Sequence, residues 1–394
     1  MARLTAENIS NIPYGPLGII GMPGCEELTD KIDSYLVRWR KDQAQEHKDT
    51  LAFFGYERDS YKINVSVPRF GSGESKGVIQ QSVRGYDIYI ICDVFNYSCT
   101  YKMYGMEVPK SPDDHFADLK RIISALESKP KRISVIMPML YEGRQHKRSS
   151  RESLDCAMAL QELVNLGVEN IITFDAHDKR VQNAIPDKSF ENVMPTYQMI
   201  KALINTVDDL IVDKDHLMTI SPDEGAMFRN IYFASQLGIN LGMFYKQRDY
   251  TRVVNGRNPI IEHQYLGESV QGKDIIIVDD MISSGESMLE VASKLKSLGC
   301  GRIFVCTTFG LFCNGLDVFD KAYENGVFDR VFTTNGVYQS PELLNREWYV
   351  NVDLSKYTAY FIDTLNHDMS VSSLLDSSER IESLLIKEGL KEAE

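Results

Sequence analysis

Two adjacent carboxylates, Asp279 and Asp280, are followed closely by Ser283, Ser284, Gly285, Glu286 and Ser287. Paired acids can hold the hydroxyls of a polyol, and a small-residue turn leading into a helix leaves backbone N–H groups free to receive a phosphate. The same residues also fit ordinary strand-end acids followed by a capping box made by Ser283 and Glu286. A second cluster lies upstream, where Arg144, His146, Lys147, Arg148 and Arg151 fall within eight positions. Such a loop suits a polyphosphate, because guanidinium forks bind phosphate oxygens bidentately and lysine acts as a point charge. A solvated surface loop would look alike. His177, two residues after Asp175, and Asp223 stand after apolar runs, where an imidazole and a carboxylate could share a magnesium ion held mostly by phosphates and water. A structural hydrogen bond is the plainer use of such a histidine. Lys246 and Arg248 open a polar stretch to Pro259 that also holds Arg252, Asn255, Gly256 and Arg257. A basic loop there can close over a reacting phosphate and neutralise developing charge, or it can be a plain turn.

The elements that must position these groups are legible from periodicity. Asp274 to Val278, aliphatic after its first residue, is of strand length and suits a strand buried on both faces. Met288, Val291, Ala292, Leu295 and Leu298 recur at helical spacing before Gly299. Earlier in the chain the pattern predicts a helix over 26–40, strands over 61–67 and 87–92, and a long loop or insertion over 96–113. Helices over 116–126, 154–166, 199–204 and 225–237 then alternate with strands over 133–137, 171–174, 217–220 and 241–245, and a further strand follows over 302–307. This alternation predicts an α/β protein of two similar domains, each a mainly parallel sheet flanked by helices. We expect a first domain over 1–188, a second over 189–350, and a tail over 351–394 containing strand-like Tyr357–Ile362 and an amphipathic helix. In open sheets of this class ligands sit beyond the C-terminal strand ends, where Asp175, His177, Asp223, Asp279 and Asp280 fall.

Composition sets bounds on function. A formal charge of −13 over 394 residues argues against a nucleic-acid surface, so an anionic ligand needs a local basic cluster. The seven cysteines, Cys25, Cys92, Cys99, Cys156, Cys300, Cys306 and Cys313, form neither a CxxC pair nor a zinc spacing. No apolar run approaches membrane-spanning length, and the N-terminus carries no signal-peptide core. We therefore expect a cytoplasmic protein with small-molecule substrates and no membrane or nucleic-acid partner. Gly267 to Lys273 mimics a phosphate loop, but Asp274 takes the Ser/Thr position and the segment precedes a strand, so no cradle forms.

In order along the chain stand VPRFGSGE, VRGYDIYII, MPMLYEGRQHKRSSRES, TFDAHDKRVQ, SPDEG, FYKQR and IIVDDMISSGES. Together they resemble the ribose-phosphate pyrophosphokinases over roughly 65–335. The resemblance implies two phosphoribosyltransferase-like domains, the first binding ATP and serving assembly, the second binding ribose phosphate, in a homo-oligomer built from dimers and commonly a hexamer. It implies pyrophosphoryl transfer from ATP to the anomeric hydroxyl of ribose 5-phosphate, with magnesium as cofactor. By the same resemblance, Arg144, Gln145 and His146 meet ATP, and Phe70 with Glu74 lie near its adenosine, reached from a neighbouring subunit. Asp279 and Asp280 take the ribose hydroxyls, Ser283, Ser284, Gly285, Glu286 and Ser287 the sugar phosphate, His177 and Asp223 the magnesium. Lys246 and Arg248 match the catalytic pair of the mobile loop.

Three departures bear on specificity. The family usually has an acid where Ser72 stands and often one where His146 stands. Glu286 replaces a glycine of the phosphate loop, which sets a carboxylate against a phosphate dianion. A larger acceptor such as ADP-ribose, a phosphoribosyltransferase, and a non-catalytic regulatory homologue are the competing expectations. The basic loop weighs against the second of these, and retention of Lys246 and Arg248 against the third.

Overall fold

The computed structural model describes residues 12–46, 56–248 and 260–392, and of 43–46, 246–248 and 260–263 the backbone alone. The chain forms two compact units. The first takes the residues up to Met194 together with Asn335–Tyr338 and Asp353–Asp376; the second takes Pro195–Thr334, Gln339–Val352 and the residues from Ser377 onward.

In the first unit the elements run β1 (Leu17–Gly21), α1 (Glu26–Glu46), β2 (Val65–Ser66), β3 (Val78–Ile79), β4 (Asp87–Ile91), β5 (Thr100–Met103), β6 (Met106–Pro109), α2 (Pro112–Ala125), β7 (Arg132–Ile136), α3 (Asp155–Asn165), β8 (Asn170–Phe174) and β9 (Ser189–Val193). The central sheet has the order β1-β4-β7-β8-β9 with every pairing parallel. Strands β4 and β8 are buried throughout and β7 from Ile133 onward, as largely apolar runs require when helices cover both faces. The segment expected as a loop over 96–113 contains instead the antiparallel hairpin β5–β6. Its two-residue turn, Tyr104-Gly105, has positive φ at both positions, which suits the twist of paired strands. Only one of the two is a glycine, so the turn signal in the sequence is weak.

The second unit continues with α4 (Thr196–Thr206), β10 (Leu217–Ser221), α5 (Met227–Leu237), β11 (Asn240–Arg248), β12 (Ile260–Leu266), β13 (Asp274–Ile282), α6 (Glu286–Ser297), β14 (Ile303–Gly310), α7 (Asp317–Glu324), β15 (Arg330–Thr334), α8 (Pro341–Leu344) and β16 (Tyr349–Val352). The sheet order is β12-β11-β10-β13-β14-β15-β16, parallel except at the β11–β12 edge. Strand β13 lies inside it and feeds two cores. Ile275 and Ile277 join Met288, Val291, Ala292 and Leu295 of α6. Ile276 and Val278 join Leu203 of α4, Phe233 of α5 and, from the last helix, Leu384. Each buried Val, Leu, Ile, Met or Phe among these contributes roughly 1.5–3 kcal/mol relative to exposure, which holds the strand end in place.

Three helices close the chain: α9 (Ser355–Asn366), α10 (Ser372–Leu375) and α11 (Ser378–Lys387). The strand expected over Tyr357–Ile362 is therefore a correction, because those residues lie within α9. Apolar content alone does not separate the two periods in so short a run. The buried polar groups do. Asp363 accepts from Arg40 Nε at 3.2 Å and Nη2 at 3.0 Å, and Asn366 accepts from Arg40 at 2.6 Å. Asn366 in turn donates to Asp87 at 2.9 Å, whose carboxylate also takes the fork of Arg132 at 2.8 and 2.7 Å. Helical spacing brings Asp363 and Asn366 to one side, and Trp39 of α1 stacks on Tyr360 at 4.4 Å.

Candidate functional site

Strand β13 runs on to Ile282, so Asp279 and Asp280 sit inside its last turns of pleat rather than beyond it. The pleat separates their environments. Asp280 is buried, with Arg229 of α5 at 3.7 Å, while Asp279 is partly exposed and accepts the Asp280 N–H at 2.9 Å. Burial, then the charges of Asp280 and Asp223, push the Asp279 carboxyl well above the usual carboxylate range. A group so placed is stabilised by hydroxyl donors or by a cation.

Asp223 follows β10, the strand paired to β13. Its Oδ1 accepts the N–H groups of Gly225 at 2.9 Å and Ala226 at 3.2 Å, and Ser221 Oγ donates to its carbonyl at 2.7 Å. Asp223 therefore has a structural task at the start of α5 as well as an electrostatic one beside Asp279.

After Ile282 the chain turns through Ser283 and Ser284 to Gly285, which occupies the N-cap of α6 with φ +85°. Among the described residues no side chain caps this helix, and Glu286 is its first residue, exposed to solvent. The capping box, the alternative reading of Ser283 and Glu286, does not form, since the left-handed glycine takes the cap position that Ser283 would need. The back of the loop is closed by Phe319: a Cβ on Gly285 would stand 2.2 Å from its ring. On the other side Cys313 N–H donates to the Ser283 carbonyl at 2.8 Å. The result is a turn pinned from behind, with an uncapped helix N-terminus and its dipole in front.

In the first unit the adjacent parallel strands β7 and β8 bring two distant segments side by side at their C-terminal ends. Arg144, Gln145, Lys147, Arg148 and Arg151 are all exposed. The His146 ring lies 5.4 Å from that of His177, and its Nε2 stands 3.4 Å from Asp178. Burial lowers the His146 pKa; Asp178 opposes this, and the neighbouring charges of His177 and Lys147 reinforce it. The forked hydrogen bonds of Arg180 hold Asp178 well below the ordinary carboxylate range. His177 itself is exposed, two residues after Asp175, which takes φ +40° as the chain leaves β8.

Phe70 and Glu74 belong to a tight turn between β2 and β3. Phe70 N–H donates to the Glu74 carbonyl at 2.8 Å and Ser72 Oγ to its carboxylate at 3.0 Å. Phe70 is 55% exposed. Lys246 and Arg248 end β11, pairing with His263 and Ile260 of β12; their side chains, and all of Arg252 to Arg257, lie outside the described residues. Sequence reasoning missed Phe319, Arg229 and the hairpin contacts to the Phe70–Glu74 turn, none of which has a local signature.

Magnesium is compatible with this chemistry. The crowding of Asp223, Asp279 and Asp280, expressed in the raised Asp279 pKa, is what a nearby divalent ion would relieve. Among the described residues no three His, Cys, Asp or Glu side chains form a cage, so an ion there would arrive with phosphates and water.

The parallel sheet, strand-end acids and open helix N-terminus of the second unit define a phosphoribosyltransferase-type domain, here preceded by a second α/β unit with a basic strand-end loop. Residues 17–167 match the family model for the N-terminal domain of ribose phosphate pyrophosphokinase, and residues 166–343 match that of the phosphoribosyl transferase domain. The chain belongs to the ribose-phosphate pyrophosphokinase family. It is 27% identical over 318 residues to a ribose-phosphate pyrophosphokinase of Vibrio parahaemolyticus, covering 79% of this chain and 91% of that one. It is 28% identical over 316 residues to one of Shewanella oneidensis, covering 78% and 89%. Its fold is similar to that of phosphoribosylpyrophosphate synthetase from Mycobacterium smegmatis, with a TM-score of 0.69, 19% identity and coverage of 89% and 99%.

Proposed function

We propose that the chain transfers the pyrophosphoryl group of ATP to the anomeric hydroxyl of ribose 5-phosphate, giving phosphoribosyl pyrophosphate and AMP. The observation that carries this reading is the turn after β13, where Asp279 and Asp280 lead into an uncapped helix N-terminus. Hydroxyls of the sugar meet the acids, and its 5-phosphate meets the N–H groups of Ser284 to Ser287. The basic loop at Arg144, Gln145 and His146 receives the triphosphate, and Phe70 and Glu74 of a neighbouring subunit face the adenosine.

The anomeric oxygen attacks the β-phosphorus, the bond from that phosphorus to the oxygen carried by the α-phosphate breaks, AMP leaves with that oxygen, and the hydroxyl proton passes to water. Lys246 and Arg248 neutralise charge as the β-phosphorus is transferred. Bound magnesium would screen the phosphate charge; His177 of the first unit and Asp223 of the second are the residues that would each hold a magnesium ion, directly or through water. The same reading gives a cytoplasmic enzyme with small-molecule substrates that assembles as a homo-oligomer built from dimers. No helix of the described residues is long and apolar enough to cross a membrane. Neither a larger acceptor nor a non-catalytic homologue is favoured by the names of the relatives.

The test is AMP release from Mg-ATP, followed by chromatography, with ribose 5-phosphate or ADP-ribose as acceptor. Release with ribose 5-phosphate that is abolished by Lys246→Ala supports the reading. AMP formed with ADP-ribose alone, or with neither acceptor, refutes it.

A further inference from the structure

The hairpin β5–β6 has no part in the chemistry above, yet it is built against the Phe70–Glu74 turn. Tyr104 N–H donates to the Gly71 carbonyl at 2.9 Å. Gly73, at φ +94°, lies so close to Met103 that a Cβ there would stand 2.7 Å from its sulfur. Arg69, the residue before the turn, lies with its guanidinium 4.2 Å from the centre of the Tyr101 ring and donates to the Gly73 carbonyl at 3.0 Å. The base of the assembly is charged. Asp118 of α2 is fully buried and accepts from Arg69 at 3.1 Å, Lys110 at 2.9 Å and Arg121 at 2.7 Å. Arg69 roots the turn and Lys110 ends the hairpin, so one carboxylate ties both to the same helix. Asp114, one helical turn earlier, also accepts from Arg69 at 3.2 Å.

We propose that the β5–β6 hairpin is a fixed mount that holds the Phe70–Glu74 turn in its nucleotide-facing conformation before ATP arrives, with Tyr101 and Asp118 as its positioning residues. This rests on the reading of that turn as an adenosine contact. A short, exposed turn bearing Gly71 and Gly73 would otherwise sample many conformations, and ordering it on binding would weaken affinity. Here the ordering is supplied by the fold: backbone bond, thioether contact, cation–π stack and buried ion pairs converge on Arg69, Gly71 and Gly73. The hairpin thereby acts on nucleotide affinity and leaves the sugar site of the second unit untouched.

The hairpin can be removed cleanly. Lys110 N–H donates to the Cys99 carbonyl at 2.8 Å, so replacing Thr100–Pro109 by Asn-Gly closes the chain with a tight turn and retains Lys110 and Asp118. AMP release is measured against Mg-ATP and ribose 5-phosphate in the full-length chain, with hydrogen exchange over residues 69–75 in the absence of nucleotide. The excised variant is expected to raise the KM for Mg-ATP about tenfold, with kcat and the KM for ribose 5-phosphate within about twofold, and Tyr101→Ala to raise it about threefold. Exchange over the turn accelerates in both. An unchanged KM for Mg-ATP in a folded, active variant overturns the proposal, as does a parallel loss of kcat and both affinities. Should the excised chain fail to fold, Tyr101→Ala decides by the same criterion. Phe70→Ala separates the two levels. If it raises the KM for Mg-ATP and the hairpin variants do not, only the mount fails; if it leaves that KM unchanged, the adenosine reading falls and the mount with it.

Discussion

Gly285→Ala is the sharpest single perturbation of the candidate sugar-phosphate turn. Gly285 sits at φ +85°, where a Cβ crowds the neighbouring carbonyl at a cost of about 1–2 kcal/mol. The added methyl would also stand 2.2 Å and 2.3 Å from two ring atoms of Phe319. That ring cannot swing aside, because it is fully buried and packed on Trp348 at 5.6 Å, Phe312 at 5.0 Å and Phe328 at 6.1 Å. Overpacking of such a core costs about 1–3 kcal/mol. Urea denaturation should therefore show a loss of about 2–5 kcal/mol if the turn stays in place. A smaller loss with a large rise in the KM for ribose 5-phosphate would mean that the turn moves forward to escape the ring. In either case the KM for Mg-ATP is unchanged. Combining Gly285→Ala with Phe319→Leu isolates the packing part: the double variant should lose less than the two single variants together by about 1 kcal/mol or more. A Gly285→Ala protein within about 0.5 kcal/mol of the parent, with unaltered kinetics, would refute both the strain and the backstop.

Other outcomes follow from single groups. Glu286→Gly removes a carboxylate from the first position of α6; it should lower the KM for ribose 5-phosphate about fivefold, the equivalent of about 1 kcal/mol of like-charge repulsion, while lowering stability because an acid favours a helix N-terminus. A raised KM in steady-state kinetics would count against it. Asp93 is buried, accepts from Phe95 N–H at 2.9 Å and Tyr338 N–H at 2.7 Å, and is pushed by burial up to about 7. Its native form holds the proton more tightly than the unfolded chain, so its contribution is full below the ordinary carboxylate range and lost as pH rises through about 7. Denaturation of parent and Asp93→Asn at pH 5 and pH 8 should show the parent losing ground relative to the variant at the higher pH; a constant difference would exclude the shift. Arg40→Leu leaves Asp363 buried without its cation and should cost about 3–5 kcal/mol in thermal or chemical unfolding; a loss below about 1 kcal/mol would show that water relieves that charge.

Local pattern decided much of this protein. The mostly apolar runs at 88–91, 133–136, 171–174 and 275–278 could bury both faces only in a helix-covered parallel sheet, so the fold class and the strand-end position of His177 and Asp223 were legible from the residues alone, whereas β13 runs past Asp279 to Ile282. The ordered motifs named the family for the same reason, since each is a contiguous segment at a strand end.

Contacts between segments far apart in sequence decided the rest. Tyr357–Ile362 is a helix because Asp363 and Asn366 must reach Arg40 and Asp87, and the hairpin at 100–109 is ordered by Arg69, Asp114 and Asp118 around it. Ser283 and Glu286 fit a capping box as well as a phosphate-binding turn, but Gly285 turns left-handed against Phe319 and leaves the helix without a side-chain cap among the described residues. That difference leaves the N-terminus of α6 open for the proposed sugar phosphate. It depends on a ring 34 residues further along the chain, which no local window contains.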